Sequence, residues 1–378
     1  MKMRRMKIHG KETQVSLLGF GCMRFPMKDD KVDMDLTRKM VDYAMEKGVN
    51  YIDTAYPYHD GESERIVREL LKDKPRSSYF LADKLPLWEC KTKEDIDRIF
   101  HEQLEKTGVD YFDFYLIHAV NKERYDQTIE LDVLAMLESY RKEGKIRNIG
   151  FSFHDDLETF KKWVDLYDWD FVQIQLNYMD IDHQQGIEGY QILTDKEIPV
   201  IVMEPVKGGS LAKFNETVEQ KLLNQEPDKS IASWAFRYVG SLPNVKVILS
   251  GMSNFEQVKD NVETFTNFQP LNEQESKLIK EVREDLLKLE EVPCTSCNYC
   301  MPCPHGVNIP GNFRVFNAYS MYQDADRAKS SYKYLAKNDA DASACIDCGE
   351  CLPKCPQKIE IPTELERMNE YFEKQGLQ

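Results

Sequence analysis

Between residues 15 and 265, short apolar runs alternate with segments in which apolar residues recur every three or four positions. That is the pattern of strands alternating with amphipathic helices around a parallel sheet. Eight runs read as strands: VSLLGFGC from 15, VNYID from 49, SYFLA from 78, YFDFYLIH from 111, IRNIGFS from 146, FVQIQ from 171, PVIVM from 199 and VKVIL from 245. The helical period shows in Leu36, Met40 and Ala44, in Ile96, Phe100 and Leu104, and in Phe255, Val258, Val262 and Phe265. Gly48, Gly108 and Gly144 stand where such helices should stop. Eight strand–helix units at a spacing of about thirty residues predict an α/β fold closed as a (β/α)8 TIM barrel. An open doubly wound sheet would need GxGxxG in its first turn, and GFGCMR has Arg24 where the third glycine belongs. The alternating residues before 15, centred on HGKE, predict a hairpin that plugs one barrel end.

After TNFQP the period changes. Asn272 followed by Glu275 reads as a capping box, and Leu278, Val282, Leu286 and Leu289 line one long helix running to EVPC. The chain therefore divides into a barrel over residues 1–270 and a second part over 271–378, a linker helix leading into a small, mainly α domain. Eight of the ten cysteines fall in the last 85 residues. The basic N-terminus meets no apolar core of a secretory signal, and the longest apolar stretch, IPVIVMEPV from 198, is too short to span a bilayer. A cytoplasmic protein without membrane attachment is expected, and there clustered cysteines more often bind metal than pair. The net charge of −15 argues against a nucleic-acid partner.

The cysteines form two quartets, Cys294, Cys297, Cys300 and Cys303 before Pro304, and Cys345, Cys348, Cys351 and Cys355 before Pro356. Two CxxCxxC runs, each closed by a fourth cysteine and a proline, match the bacterial ferredoxin pattern for two [4Fe-4S] clusters. In that pattern three thiolates of one run grip one cube while the fourth reaches the other. Cys294, Cys297, Cys300 and Cys355 are thus assigned to one cluster, and Cys345, Cys348, Cys351 and Cys303 to the second. The first run closes after two intervening residues rather than three. CPHGVNIP and CPQKIEIP repeat one unit, CPxx[VI]xIP, which points to two half-sites related by approximate two-fold symmetry. Two four-cysteine zinc sites are the alternative, but they explain neither the triple runs nor the trailing prolines. Cys22 and Cys90 lie outside the pattern and read as buried thiols.

Barrel enzymes carry their chemistry where the strands end. The second strand ends in Asp53, with Tyr58 five residues on; the third runs into Lys84, and the fourth ends in His118. An ammonium beside a phenol favours the phenolate and is expected to lower its pKa, a carboxylate keeps the lysine charged, and an imidazole orients a carbonyl oxygen. These stretches, YIDTAYPYHDGESE, FLADKLP, YFDFYLIH and IRNIGFS, resemble the aldo-keto reductases over about residues 10–265. The resemblance implies hydride transfer between a nicotinamide and a small aldehyde or ketone. Tyr58 would be the acid, Lys84 and Asp53 its tuning pair, and His118 the orienting group.

The same resemblance implies a dinucleotide, NADP or NAD, held across the barrel mouth. Gly21, Met23 and Asp53 would border it, and Ser152 and Gln173 would bind the carboxamide. Met203 stands where many members stack an aromatic ring on the nicotinamide. Glu204, Pro205, Val206 and Gly209 after the seventh strand, and Gly251, Ser253 and Gln257 after the eighth, match the phosphate and adenine loops, with Asp260 and Asn261 as the adenine pair. Gly251 and Gln257 replace a lysine and an arginine of NADPH-preferring members, which weakens recognition of a 2′-phosphate and makes room for NADH. Phe25, Tyr56 and Trp88 are candidate pocket walls, Phe25 equally a core residue. With the cysteine tail added, the chain resembles the subgroup of these reductases that carries a C-terminal ferredoxin-like domain. Three functions follow as expectations: a carbonyl reductase with appended clusters, an electron-transfer protein serving a redox partner protein, and a redox-sensing binding protein on a barrel scaffold.

Overall fold

The computed structural model describes residues 1–8 and 10–378. Each of the eight apolar runs forms one strand: Leu18–Gly21, Tyr51–Asp53, Phe80–Leu85, Phe112–Val120, Ile146–Phe153, Phe171–Gln175, Val200–Met203 and Val245–Gly251. They pair in chain order, all parallel, and the sixth closes against the fifth as the eighth closes against the first. The barrel is filled, not hollow. Tyr51, Ala82, Phe114, Leu116, Phe171, Ile201, Val247 and Leu249 pack into one buried cluster. Gly19 makes this possible: a Cβ there would lie 2.6 Å from Val247 and 3.3 Å from the Tyr51 ring.

The hairpin is present as Met3–Ile8 paired with Lys11–Ser16. Met6 and Val15 reach into the interior cluster, and the backbone N–H of Ser16 donates to the Asn50 side chain just before the second strand (2.8 Å). The hairpin thus covers the end where the strands begin, which leaves the other end for chemistry. Its HGKE turn includes His9, outside the described residues. Helix ends follow the sequence signals. Thr92 and Asp95 make a reciprocal capping box, and Gly108 closes the same helix in the left-handed region at φ +68°, where a side chain would be strained.

The chain divides into two compact units, Met1–Lys207 with Ser233–Asn272, and Gly208–Ala232 with Glu273–Gln378. The second unit includes a segment that follows the seventh barrel strand in sequence, and the amphipathic pattern there gave no sign of it. Within that unit the segment is tied down by Arg327 donating to the Ser210 hydroxyl (2.5 Å) and by an ion pair of Lys221 with Asp285. The helix expected to run to EVPC spans Glu273–Leu287 and stops short of Leu289, a turn earlier. The CPxx[VI]xIP repeat has a structural meaning. In both copies its proline lies in the first turn of a helix, Ile309–Tyr322 and Ile361–Gln375, where a missing N–H costs nothing. Val307, Ile309, Ile359 and Ile361 then bury in one shared core with Phe313, Met368 and Phe372.

Candidate active site and cluster cavities

Asp53, Lys84, Tyr58 and His118 come together where the second, third and fourth strands end. The Lys84 ammonium, fully buried, lies 2.7 Å from Asp53 Oδ1 and donates to the Thr54 carbonyl (2.6 Å). It sits 5.1 Å from the centre of the Tyr58 ring. The Tyr58 ring meets His118 edge-on, centroids 6.1 Å apart, and His118 meets Trp88 at 5.1 Å. Tyr58 opens a short turn, Tyr58–Gly61, in which His59 and Asp60 take positive φ.

Burial opposes the charge on Lys84, but Asp53 and Tyr58 outweigh it and hold its pKa above the ordinary lysine value. For Tyr58 the balance runs the other way. Burial raises the phenol's pKa above its ordinary value, and the pull of Lys84 offsets this only in part. The expected lowering of the phenol is therefore corrected: without a ligand Tyr58 is held protonated, because desolvation of a phenolate exceeds the attraction of one ammonium. Burial, reinforced by Lys84, His154 and Arg124, holds His118 well below the ordinary histidine value, so its imidazole is neutral.

The fourth strand does not end at His118 but continues to Val120, with its pairing broken between Ile117 and Val120. Ala119 takes φ +50°, a bulge that re-aims His118. Two groups pin it. The Ala119 N–H donates to the Ser152 hydroxyl (2.8 Å), and Arg124 Nη1 donates to the Ala119 carbonyl (3.2 Å).

Lys84 itself is held from behind by a net that sequence reasoning missed. Its N–H donates to Asp83 Oδ1 (2.8 Å), while Gln103 Nε2 donates to both the Lys84 carbonyl (3.0 Å) and Glu64 Oε1 (2.9 Å). Asp83 and Glu64 are fully buried; Asp83 Oδ2 has no hydrogen-bond partner, and Glu64 Oε2 faces the Lys106 ammonium at 3.4 Å. Burial, with Glu64 adding to it, pushes the Asp83 carboxyl well up, which favours its protonated form beside Glu64. Acidic residues one and twenty positions from a candidate lysine carry no spacing that would reveal this.

The cofactor candidates lie along the same strand ends. Gly251, Gly21 and Asp53 share one register row, and Gln173 pairs beside Ser152. Gln173 Nε2 donates to Met203 Sδ (3.4 Å), but its Oε1 is buried without a partner. Ser152, buried, spends its oxygen on Ala119 and keeps its O–H to donate. An orphaned acceptor beside a free donor is the complement of a carboxamide, so these residues fit a nicotinamide. Buried Asn261 donates to the Ser250 hydroxyl (3.0 Å), next to Asp260. Gln257 accepts from the Ser253 N–H (2.8 Å), and Met23 is exposed. The Glu204 carbonyl accepts from Asn177 (3.1 Å), Pro205 is buried and Val206 half-buried. Gly209 belongs to the second unit, exposed at its first turn. A cationic side chain does stand near Gly251: the stem of Arg24 packs on that glycine, 3.1 Å from where a Cβ would stand. Phe25 is buried and stacked on His59 at 5.3 Å, a core role. Tyr56 lies under Lys106 (4.2 Å), and Trp88, 37% exposed, stands at the rim. Cys22 and Cys90 are buried free thiols.

In the second unit the cysteines line two cavities. One is walled by Cys294, Cys297, Cys300 and Cys355, the other by Cys303, Cys345, Cys348 and Cys351, with Cys300 on the wall between. The crossed grouping read from the sequence is thus the spatial one. Four thiols spread around a cavity suit a cube with iron at four corners. Anaerobically purified protein should contain about eight iron and about eight acid-labile sulfide per chain, as two such cubes require; stoichiometric zinc in their place would overturn the ligand grouping.

Comparison with known proteins agrees with both halves. Residues 17–284 match the model of the aldo/keto reductase family, and residues 293–360 match that of the 4Fe-4S dicluster domain. An uncharacterized oxidoreductase, YqkF, of Bacillus subtilis (strain 168) is 25% identical over 76% of this chain and 99% of its own. An NADH-specific methylglyoxal reductase of Escherichia coli (strain K12) is 24% identical over 75% of this chain and 99% of its own. Among solved structures, the holo form of aldo-keto reductase AKR11C1 from Bacillus halodurans superposes with a TM-score of 0.61 at 25% identity, over 74% of this chain and 96% of that one. Among the described residues, no helix is long and apolar enough to cross a membrane.

Proposed function

The chain belongs to the aldo/keto reductase family, and from that premise we propose that its barrel interconverts a small aldehyde or ketone and the corresponding alcohol, using NADP or NAD. The observation that carries this reading is the buried Lys84–Asp53 pair beneath a protonated Tyr58, with a neutral His118 edge-on to the phenol. When bound, a reduced nicotinamide supplies hydride to the carbonyl carbon. Tyr58 donates its proton to the carbonyl oxygen as that oxygen gains charge. Lys84, kept charged by Asp53, stabilises the phenolate left behind, and the reverse transfer restores the phenol. His118, neutral, offers a hydrogen bond to the carbonyl oxygen without competing for the proton. Ser152 and Gln173 hold the carboxamide, Met203 covers an adjacent apolar face, and Asp260 with Asn261 receives the adenine. Arg24, over Gly251, gives the 2′-phosphate of NADP a cation that Gly251 and Gln257 lack.

The clusters favour a second use of the chain. Cys297 and Cys348 are exposed, so a cube on either side lies close to solvent, where a soluble redox partner could exchange electrons with it. A screen of small aldehydes and ketones under anaerobic conditions with NADH and NADPH tests the primary reading. Carbonyl-dependent loss of the reduced nicotinamide is expected with at least one aldehyde. Reduction of the clusters by the dinucleotide with no carbonyl consumed would favour the electron-transfer reading instead.

A further inference from the structure

We infer that the carbonyl substrate carries a carboxylate and that Arg124 at the barrel mouth binds it, an inference that rests on the carbonyl-reductase reading above. Arg124 lies in the helix Lys122–Glu130, directly after the strand that bears His118. Its guanidinium stacks over the Trp88 ring at 5.2 Å, Trp88 lies 5.1 Å from His118, and His118 lies 6.1 Å from Tyr58. These four side chains form one continuous row from the rim to the candidate proton donor.

The guanidinium is under-used. Of its five N–H bonds, one from Nη1 serves the Ala119 carbonyl, and Nε is shut off from water without an acceptor. Among the described residues no carboxylate pairs with it. Asp155, the acid that faces the start of the same helix, is engaged by the backbone N–H groups of Lys122 (2.9 Å) and Asp156 (2.8 Å), and Asp156 caps the next helix through Thr159. A partly desolvated, unpaired guanidinium is costly in any fold, and the chain as a whole has a net charge of −15. At this mouth Lys84 is already matched by Asp53 and burial holds His118 and His154 below the ordinary histidine value, which leaves Arg124 as the cation open to an acid group. A planar fork beside an aromatic ring matches a carboxylate through two parallel N–H···O bonds, which a lone ammonium does not offer. An acid group on the substrate would offset the desolvation of Arg124 and point the carbonyl end toward Tyr58.

The competing role is structural, since Arg124 also anchors the Ala119 bulge. A matched pair of substrates separates the two. For 4-carboxybenzaldehyde against benzaldehyde, Arg124→Met should lower kcat of both by the same factor, through the lost anchor of the Ala119 bulge, while raising KM for the carboxylate by about 30-fold or more relative to its effect on KM for benzaldehyde. Arg124→Lys should recover part of the carboxylate preference. An anchor alone would leave the ratio of kcat/KM between the two aldehydes as it is in the wild type, and that result overturns the inference. Binding of benzoate, followed by quenching of tryptophan fluorescence, gives a readout independent of turnover: weaker binding in Arg124→Met supports the site, and unchanged binding overturns it. If wild-type protein reduces no aldehyde or ketone in the screen above, the reductase reading fails on its own, and the benzoate measurement still decides the role of Arg124.

Discussion

Replacing Tyr58 by phenylalanine should lower kcat for carbonyl reduction by about 10²- to 10⁴-fold, the span that a positioned proton donor contributes. The loss should fall on kcat and kcat/KM together, because the proton moves only as charge develops on the carbonyl oxygen. Affinity for the dinucleotide should change by less than about 2-fold, since Ser152, Gln173 and Asn261 are untouched. The pH dependence follows from the same environment. Burial holds the Tyr58 phenol above its ordinary value, with Lys84 offsetting part of the rise, so the acid form should persist throughout the neutral range. Burial together with Lys84 holds His118 well below the ordinary histidine value, so no limb near pH 6.5 should appear in the reduction profile. A Tyr58→Phe variant at wild-type rate would remove Tyr58 from the chemistry.

Lys84→Met is the second large effect, and it acts on stability as well as rate. Lys84 is fully buried against a nearly buried Asp53. Removing the ammonium leaves Asp53 with an uncompensated carboxylate in a site that already holds its Oδ2 without a partner. Breaking a buried pair from one side costs about 3–5 kcal/mol. The double variant Asp53→Asn with Lys84→Met should be more stable than Lys84→Met alone, because neither partner then carries an unpaired charge, while activity stays low in both. Equal stability of wild type and Lys84→Met in denaturant titrations would contradict the burial of this pair.

The sequence carried the architecture well because its signals were local. A period of two or 3.6 residues and a glycine at a helix end are set by neighbours a few positions apart, and all eight strands follow from them. The crossed cysteine grouping was also legible, since two CxxCxxC runs, each closed by a fourth cysteine and a proline, carry it in their spacing. What escaped depends on tertiary packing. The bulge at Ala119 arises from Ser152 and Arg124, one on the adjacent strand and one in the next helix. The sign of the Tyr58 shift depends on how much desolvation competes with Lys84, a quantity no spacing encodes. The packing of 208–232 with the second unit depends on residues about a hundred positions away, such as the hydrogen bond from Arg327 to Ser210. Arg24 over Gly251 joins two strand ends that are neighbours only because the barrel closes.

The most direct test of the central claim is a single-turnover experiment with a reduced nicotinamide carrying deuterium at both C4 positions, an aldehyde accepted in the screen, ordinary water as solvent and the clusters oxidised at the start. Hydride transfer at the barrel mouth predicts one deuterium on the carbinol carbon of each alcohol formed, with cluster absorbance unchanged. Deuterium lost to solvent, or clusters bleached while no labelled alcohol forms, would contradict it and assign the chain to electron transfer.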